Sequence, residues 1–224
     1  MGERVEIAGP AAVGEVGGGP GLVVLHEWWG LVPHIEDVCD RFGVLGYTAV
    51  APDLFHGERV PDREPDLAEQ LILRLDRERA AAEVAAVVAA LRDRGCARVG
   101  VVGFCTGGAA ALAASAVCRV DATVSYYGIW PMSGERTITS PILVHTAEHE
   151  EHNWLAMPDV FPRWFAGMGN VEIHHHPGTQ HAFFDDSRPD GGHDPAAAAL
   201  SWERTTAFLR QHLVEPPPDG AAER

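Results

Sequence analysis

The residues best suited to covalent chemistry lie at 99–108, where Val-Gly-Val-Val-Gly-Phe-Cys-Thr-Gly-Gly places one thiol among glycines. An apolar β-branched run leads into Gly103-Phe104-Cys105-Thr106-Gly107-Gly108, and an alanine-rich segment follows. This is the nucleophile-elbow pattern of strand, sharp turn and helix, with sulfur in place of the usual hydroxyl. A nucleophile on such a turn has a strained backbone, and small neighbours are needed so that strand and helix can approach closely. The positive end of the helix that follows suits a thiolate and a developing oxyanion, for which the Thr106 N–H would be one donor.

The base should come later, in the order nucleophile, acid, histidine. His181, in Pro177-Gly178-Thr179-Gln180-His181-Ala182-Phe183, stands in a predicted turn just past the last apolar strand. The acid should follow the preceding strand, in Ala147-Glu148-His149-Glu150-Glu151-His152, where Glu148, Glu150 and Glu151 are all candidates. One of these carboxylates would orient His181 through its other ring nitrogen. His174, His175 and His176 read as strand residues with exposed or hydrogen-bonded rings, and no metal site is expected there. His26-Glu27 lacks the second histidine of a zinc-protease helix motif. Cys39, Cys96 and Cys118 form no CxxC pair and read as structural thiols of a reducing cytosol.

These groups must be held by a framework, and the hydrophobic pattern supplies one. Strands are predicted at 5–8, 22–26, 48–51, 99–103, 122–126, 142–146 and 171–176. Several are continuously apolar, as strands buried on both faces should be. Helices are predicted at 35–45, with Ile35, Val38, Phe42 and Leu45 on one stripe, and at 67–94, as one helix or two broken near Asp76. Others are predicted at 106–118, 157–168 and 195–213. The stretch 14–21 reads as a glycine-rich turn between early strands. The alternation predicts an α/β fold, a mostly parallel central sheet with helices on both faces, in a single domain over 1–214. The proline-rich tail 215–224 is predicted to be disordered.

Composition narrows the function. The chain has 224 residues and a formal net charge of −15, a surface that repels nucleic acid and anionic membranes. All 17 basic residues are arginine, which removes Schiff-base and Ser–Lys mechanisms. No apolar run nears the roughly 20 residues that cross a bilayer, and Met1-Gly2-Glu3-Arg4 opens no apolar export signal, so a cytoplasmic protein is expected.

The segments Val23–Leu31, Pro33–Phe42 and Leu45–Phe55, together with Gly103–Gly108 and Pro177–Pro189, resemble the dienelactone hydrolase family in its own order along nearly the whole chain. The resemblance implies an α/β-hydrolase fold without a cap domain, needing no cofactor, that hydrolyses enol-lactones or related esters. It implies a Cys–Asp–His triad working with a glutamate from the first active-site loop. Glu27 stands at that position, where it would hold the resting thiol neutral and take its proton when substrate arrives. Trp28 would offer the second oxyanion N–H. The family's acid is normally aspartate in Gly-Glu-x-Asp; here Ala147-Glu148-His149-Glu150 puts Glu150, one methylene longer, at that position. The family holds its substrate carboxylate with two arginines. Arg188 matches one, and Arg59 or Arg63 would supply the other. Trp28, Trp29 and Trp130 would wall the pocket, favouring a different lactone or a plain ester. The expected partner is a small ester or lactone, bound by a monomer or small homo-oligomer. The rival expectations are a broad carboxylesterase of the same fold and a non-catalytic scaffold whose Cys105 binds ligand or senses oxidants.

Overall fold

A computed structural model describes residues 3–5, 12–14, 19–60, 64–129, 138–150, 161–187 and 192–214. The predicted tail, and Arg63, Trp130, Glu151 and Arg188, lie outside the described residues.

The elements run β1 (Glu3–Val5), β2 (Ala12–Gly14), β3 (Gly21–Leu25), α1 (Pro33–Val44), β4 (Thr48–Pro52), α2 (Pro65–Arg74), α3 (Arg77–Asp93), β5 (Val99–Phe104), α4 (Thr106–Ser115), β6 (Ala122–Tyr126), β7 (Ile142–His149), α5 (Phe161–Trp164), β8 (Val171–Gln180) and α6 (Pro195–Leu209). The strands form one sheet in the order β1-β2-β4-β3-β5-β6-β7-β8. From β4 to β8 every pairing is parallel, and β1 and β2 add an antiparallel edge.

Side chains that alternate along a strand feed two cores. Leu22 and Val24 of β3, with Val102 and Phe104 of β5, pack against Ile35, Val38 and Phe42 of α1 and Phe208 and Leu209 of α6. Val23, Leu25, Val99 and Val101 pack on the opposite side against Val84, Val87, Val88 and Leu91 of α3 and Ala110, Ala111 and Ala114 of α4. Burial on both faces accounts for the unbroken apolar runs.

After β3 the chain crosses to β4 on one side, and β5 then lies on the other side of β3. The connections therefore diverge between β3 and β5, and open parallel sheets bind ligands outside the strand ends at such a point. Leu25 is paired with Gly103, so the segments that follow the two strands, Glu27-Trp28 and Cys105-Thr106, leave the sheet side by side.

Several boundaries differ from expectation. Of the strand predicted at 5–8 only Val5 is described, as the last residue of β1, and β2 was not foreseen because three residues beside glycines carry no periodicity. The segment 67–94 is two helices, with Asp76 accepting from the Glu78 and Arg79 N–H groups at the second N-cap. The predicted stripe on α1 holds for Ile35, Val38 and Phe42, but Leu45 falls past the helix end and is 52% exposed. The helix predicted at 106–118 ends at Ser115, and of 157–168 only Phe161–Trp164 is described as helix. Pro177–Gln180, read as a turn, continues β8. That strand is at the sheet edge, where a proline's missing N–H is tolerated.

Candidate active site

Cys105 occupies a tight corner between β5 and α4, with φ 52° and ψ −116°, outside the ordinary regions for a residue with a side chain. Such a backbone costs about 1–3 kcal/mol and persists only where its surroundings enforce it. Here the Cys105 N–H donates to Tyr126 O at 3.0 Å, and Cys105 O accepts from the Ala109 N–H at 3.1 Å. The flanking glycines are required by contact. A Cβ on Gly103 would lie 2.0 Å from Gly107 O, and one on Gly107 would lie 2.4 Å from Leu25 O. The thiol is half-buried, Thr106 is buried as the first residue of α4, and Sγ lies 3.9 Å from Thr106 Oγ1.

His181 emerges at the end of β8, its N–H donating to His149 O at 2.9 Å. Its Nδ1 is hydrogen-bonded to Glu150 Oε2, and the ring also hydrogen-bonds the Cys105 thiol. Burial alone would lower the imidazole's pKa. The neighbouring Cys105 sulfur and the Glu150 carboxylate outweigh it, and the group is raised well above its ordinary value. Of the three acid candidates, Glu150 is 6% exposed and meets the histidine. Glu148 is exposed and accepts from the Gly178 N–H across the β7–β8 bulge. Thus the structure brings Cys105, His181 and Glu150 into one connected line.

Glu27 is 3% exposed at the end of β3, and the Tyr127 phenol donates to its Oε1 at 3.2 Å. Trp28 and Trp29 form a half-buried turn, their rings 4.9 Å apart and packed beside Phe55, Val60, Ala68 and Leu71. The Val60 N–H donates to Trp29 O at 2.9 Å, which ties this turn to the loop before α2. Arg59, one of the two arginine candidates there, is exposed, with its backbone against Gly30.

Two supporting residues were not foreseen. Tyr127 has φ 42°, is fully buried, and sets its ring 4.9 Å from that of His181. Burial first, then Glu27, Asp185 and Cys105, pushes its phenol well above the ordinary value, so it stays a neutral donor. The doublet Tyr126-Tyr127 at the end of an apolar strand was the available signal. His26 is buried, and it accepts from the Leu54 N–H at Nε2 (3.0 Å), leaving Nδ1 to donate to Glu27 O (2.7 Å). Burial lowers its pKa, which keeps the ring neutral and able to do both. It thereby pins the peptide that joins Glu27 to Trp28.

A sequence profile of the dienelactone hydrolase family matches residues 5–213. The chain belongs to the dienelactone hydrolase family. It is 35% identical over 216 residues to a putative carboxymethylenebutenolidase of Azospirillum brasilense, covering 88% of this chain and 90% of that one. It is 32% identical over 212 residues to protein usf of Aquifex pyrophilus, covering 88% and 90%. The fold matches a putative dienelactone hydrolase structure from Klebsiella pneumoniae with TM-score 0.79 at 22% identity, over 94% of this chain and 98% of that one. This dienelactone hydrolase family member thus shares the fold of that structure, and among its described residues no helix is long and apolar enough to cross a membrane.

Proposed function

We propose that this chain hydrolyses small enol-lactones or esters through a thioester on Cys105, with His181 as base and Glu150 as the acid that orients it. The observation that carries the reading is the Glu150–His181–Cys105 line at the strand ends flanking the β3/β5 divergence. On substrate binding the thiol proton passes to Glu27, and sulfur bonds to the carbonyl carbon. The N–H groups of Thr106 and Trp28 receive the negative charge that develops on the carbonyl oxygen. The oxyanion collapses, the C–O bond to the enol or alcohol oxygen breaks, and that oxygen leaves with the proton held on Glu27, which returns to its carboxylate. His181 takes a proton from water, the hydroxide adds to the thioester, and the C–S bond breaks to return the thiolate. An enolate departs without strong acid assistance, so lactones and activated esters suit this site better than amides.

Family resemblance places Arg188 at a substrate carboxylate; Arg63 is our candidate for the second arginine, and Trp28, Trp29 and Trp130 our candidates for the pocket wall. The net charge of −15 supports an enzyme that acts on a small molecule apart from nucleic acid and anionic membranes; a cytoplasmic monomer or small homo-oligomer is part of the same proposal. Hydrolysis of p-nitrophenyl acetate by wild type and Cys105→Ala tests the assignment. A loss of about 10³-fold or more is expected; equal rates in the two proteins would favour a non-catalytic scaffold. Arg188→Ala should slow carboxylate-bearing lactones about tenfold more than neutral ones, and an equal effect on both would remove the clamp from the account.

A further inference from the structure

His26 takes no step in the proposed reaction, yet it is a fully buried imidazole directly after β3, at the strand ends that hold the proposed catalytic groups. Its tautomer follows from its partners alone. The Leu54 backbone N–H can only donate, so Nε2, 3.0 Å away, is the accepting nitrogen. Glu27 O can only accept, so Nδ1, 2.7 Å away, carries the proton. Both ring nitrogens are committed, and one neutral form serves both partners.

The ring and the backbone of His26 face different neighbours. Leu54 follows β4, in a turn that Asp53 fastens by accepting from the Phe55 N–H at 3.0 Å and the Gly57 N–H at 2.7 Å. The Phe55 ring lies 4.8 Å from that of His26. The imidazole therefore stands on the β4 side of β3. The backbone meets the elbow instead, since a Cβ on Gly107 in the first turn of α4 would lie 2.6 Å from His26 O.

This placement fixes the direction of one peptide. Nδ1–H holds Glu27 O toward the β4 side, and in a planar trans peptide the following N–H points the opposite way. The sheet runs β4-β3-β5, so the Trp28 N–H is aimed toward the side on which β5 delivers Cys105. Glu27 O also accepts from the Gly30 N–H at 3.2 Å. That bond closes a turn within the same loop and moves with it, whereas the imidazole ties the peptide to the loop of another strand.

We propose that His26 is a positioning residue that builds the oxyanion site: by holding Glu27 O toward β4, it turns the Trp28 N–H toward the carbonyl oxygen of a substrate on Cys105. This inference rests on the reading of Cys105 as nucleophile and of the Trp28 N–H as an oxyanion donor. The test compares two reactions of the same sulfur. Attack on p-nitrophenyl acetate puts negative charge on a carbonyl oxygen. Attack on methyl methanethiosulfonate forms an S–S bond, expels methanesulfinate and creates no such oxyanion. In His26→Gln the side-chain amide reaches the Nε2 position and can accept from Leu54, but the donor to Glu27 O is gone. In His26→Asn the amide nitrogen stands near the Nδ1 position and restores that donor. His26→Gln should lower kcat for p-nitrophenyl acetate about 10²-fold with little change in KM, while the rate of thiosulfonate labelling at Cys105, read by peptide mass spectrometry, stays within about twofold of wild type. His26→Asn should bring kcat back to within about threefold of wild type. Unchanged hydrolysis in His26→Gln, labelling that falls in step with hydrolysis, or a His26→Asn variant no better than His26→Gln would each overturn the proposal. Should His26→Gln not fold, His26→Asn decides alone, and a kcat more than about tenfold below wild type is then the contrary result. Full hydrolysis by Cys105→Ala would instead sink the underlying nucleophile assignment, whatever the His26 variants show.

Discussion

Glu150 has one carboxylate oxygen on His181 Nδ1, and this contact sets what its replacement should do. Glu150→Gln keeps the shape but offers an amide that can hold the wrong ring tautomer, so kcat should fall roughly 10²–10⁴-fold with KM nearly constant. Steady-state kinetics on p-nitrophenyl acetate checks this, and a KM-dominated effect would point to a binding role. Glu148→Gln, in contrast, should change kcat less than about twofold, because its partner is the Gly178 backbone. At this scale the sequence was informative where chemistry depends on spacing along the chain. The glycines around Cys105 and the late histidine were legible for that reason. The residues themselves did not separate Glu148 from Glu150, since the difference lies in burial and in partners brought by β8, His181 for Glu150 and the Gly178 N–H for Glu148. Tyr127 and His26 were missed because their roles arise from contacts across strands, Tyr127 with Glu27 and His26 with Leu54.

The elbow is an element-scale device, and its tolerance to change is small. Gly107→Ala would place a Cβ 2.4 Å from Leu25 O and 2.6 Å from His26 O, both backbone atoms that cannot step aside cheaply. A destabilisation of about 3 kcal/mol or more is expected, read as a fall in the urea midpoint, with activity lost because the Cys105 corner must shift. A milder element-scale change is Asp194→Ala. Asp194 caps α6 by accepting from the Ala196 and Ala197 N–H groups, and its loss should cost about 1 kcal/mol. Activity should survive that change, since α6 packs on the sheet and carries none of the proposed catalytic groups. Strand existence was readable from continuous apolar runs, whereas strand ends were not. β8 runs through Pro177 because it lies at an edge, and edge position is a property of sheet order that no local pattern encodes.

Across the whole molecule, a second buried polar network links the sheet to α6 and should govern acid sensitivity. His145 Nδ1 meets His176 Nε2 at 3.1 Å, His145 Nε2 meets Thr205 Oγ1 at 3.1 Å, and Thr205 Oγ1 meets the Tyr126 hydroxyl at 2.7 Å. Burial pulls His145 well below its ordinary pKa, and His176 is lowered to about 4, by burial first and then by Arg204 and its histidine neighbours. The unfolded chain takes up these protons near pH 6.5, while the folded chain resists them until far lower. Stability is therefore complete above about pH 6.5 and is lost as pH falls toward about 4. His181 is shifted the other way and is already protonated in both states below pH 6.5, so it does not offset that loss. His176→Gln should flatten the dependence of the thermal midpoint on pH between about 6.5 and 4; an unchanged slope would exclude His176 as its source. The fold class itself was readable at this scale because a buried parallel sheet writes the same apolar signature in every strand. The joining of Glu27 to Cys105 needed the strand order, in which β5 returns to the side of β3 opposite β4.

The central claim is that one sulfur carries the acyl group and one imidazole releases it. Intact-mass measurement after rapid mixing with p-nitrophenyl acetate, followed by peptide mapping, reads both halves at once. The expected result is a single acetyl group on Cys105, short-lived in wild type and persistent in His181→Ala if acylation still proceeds, with none in Cys105→Ala. Acetylation at another residue, or turnover of undiminished rate in Cys105→Ala, would contradict the account.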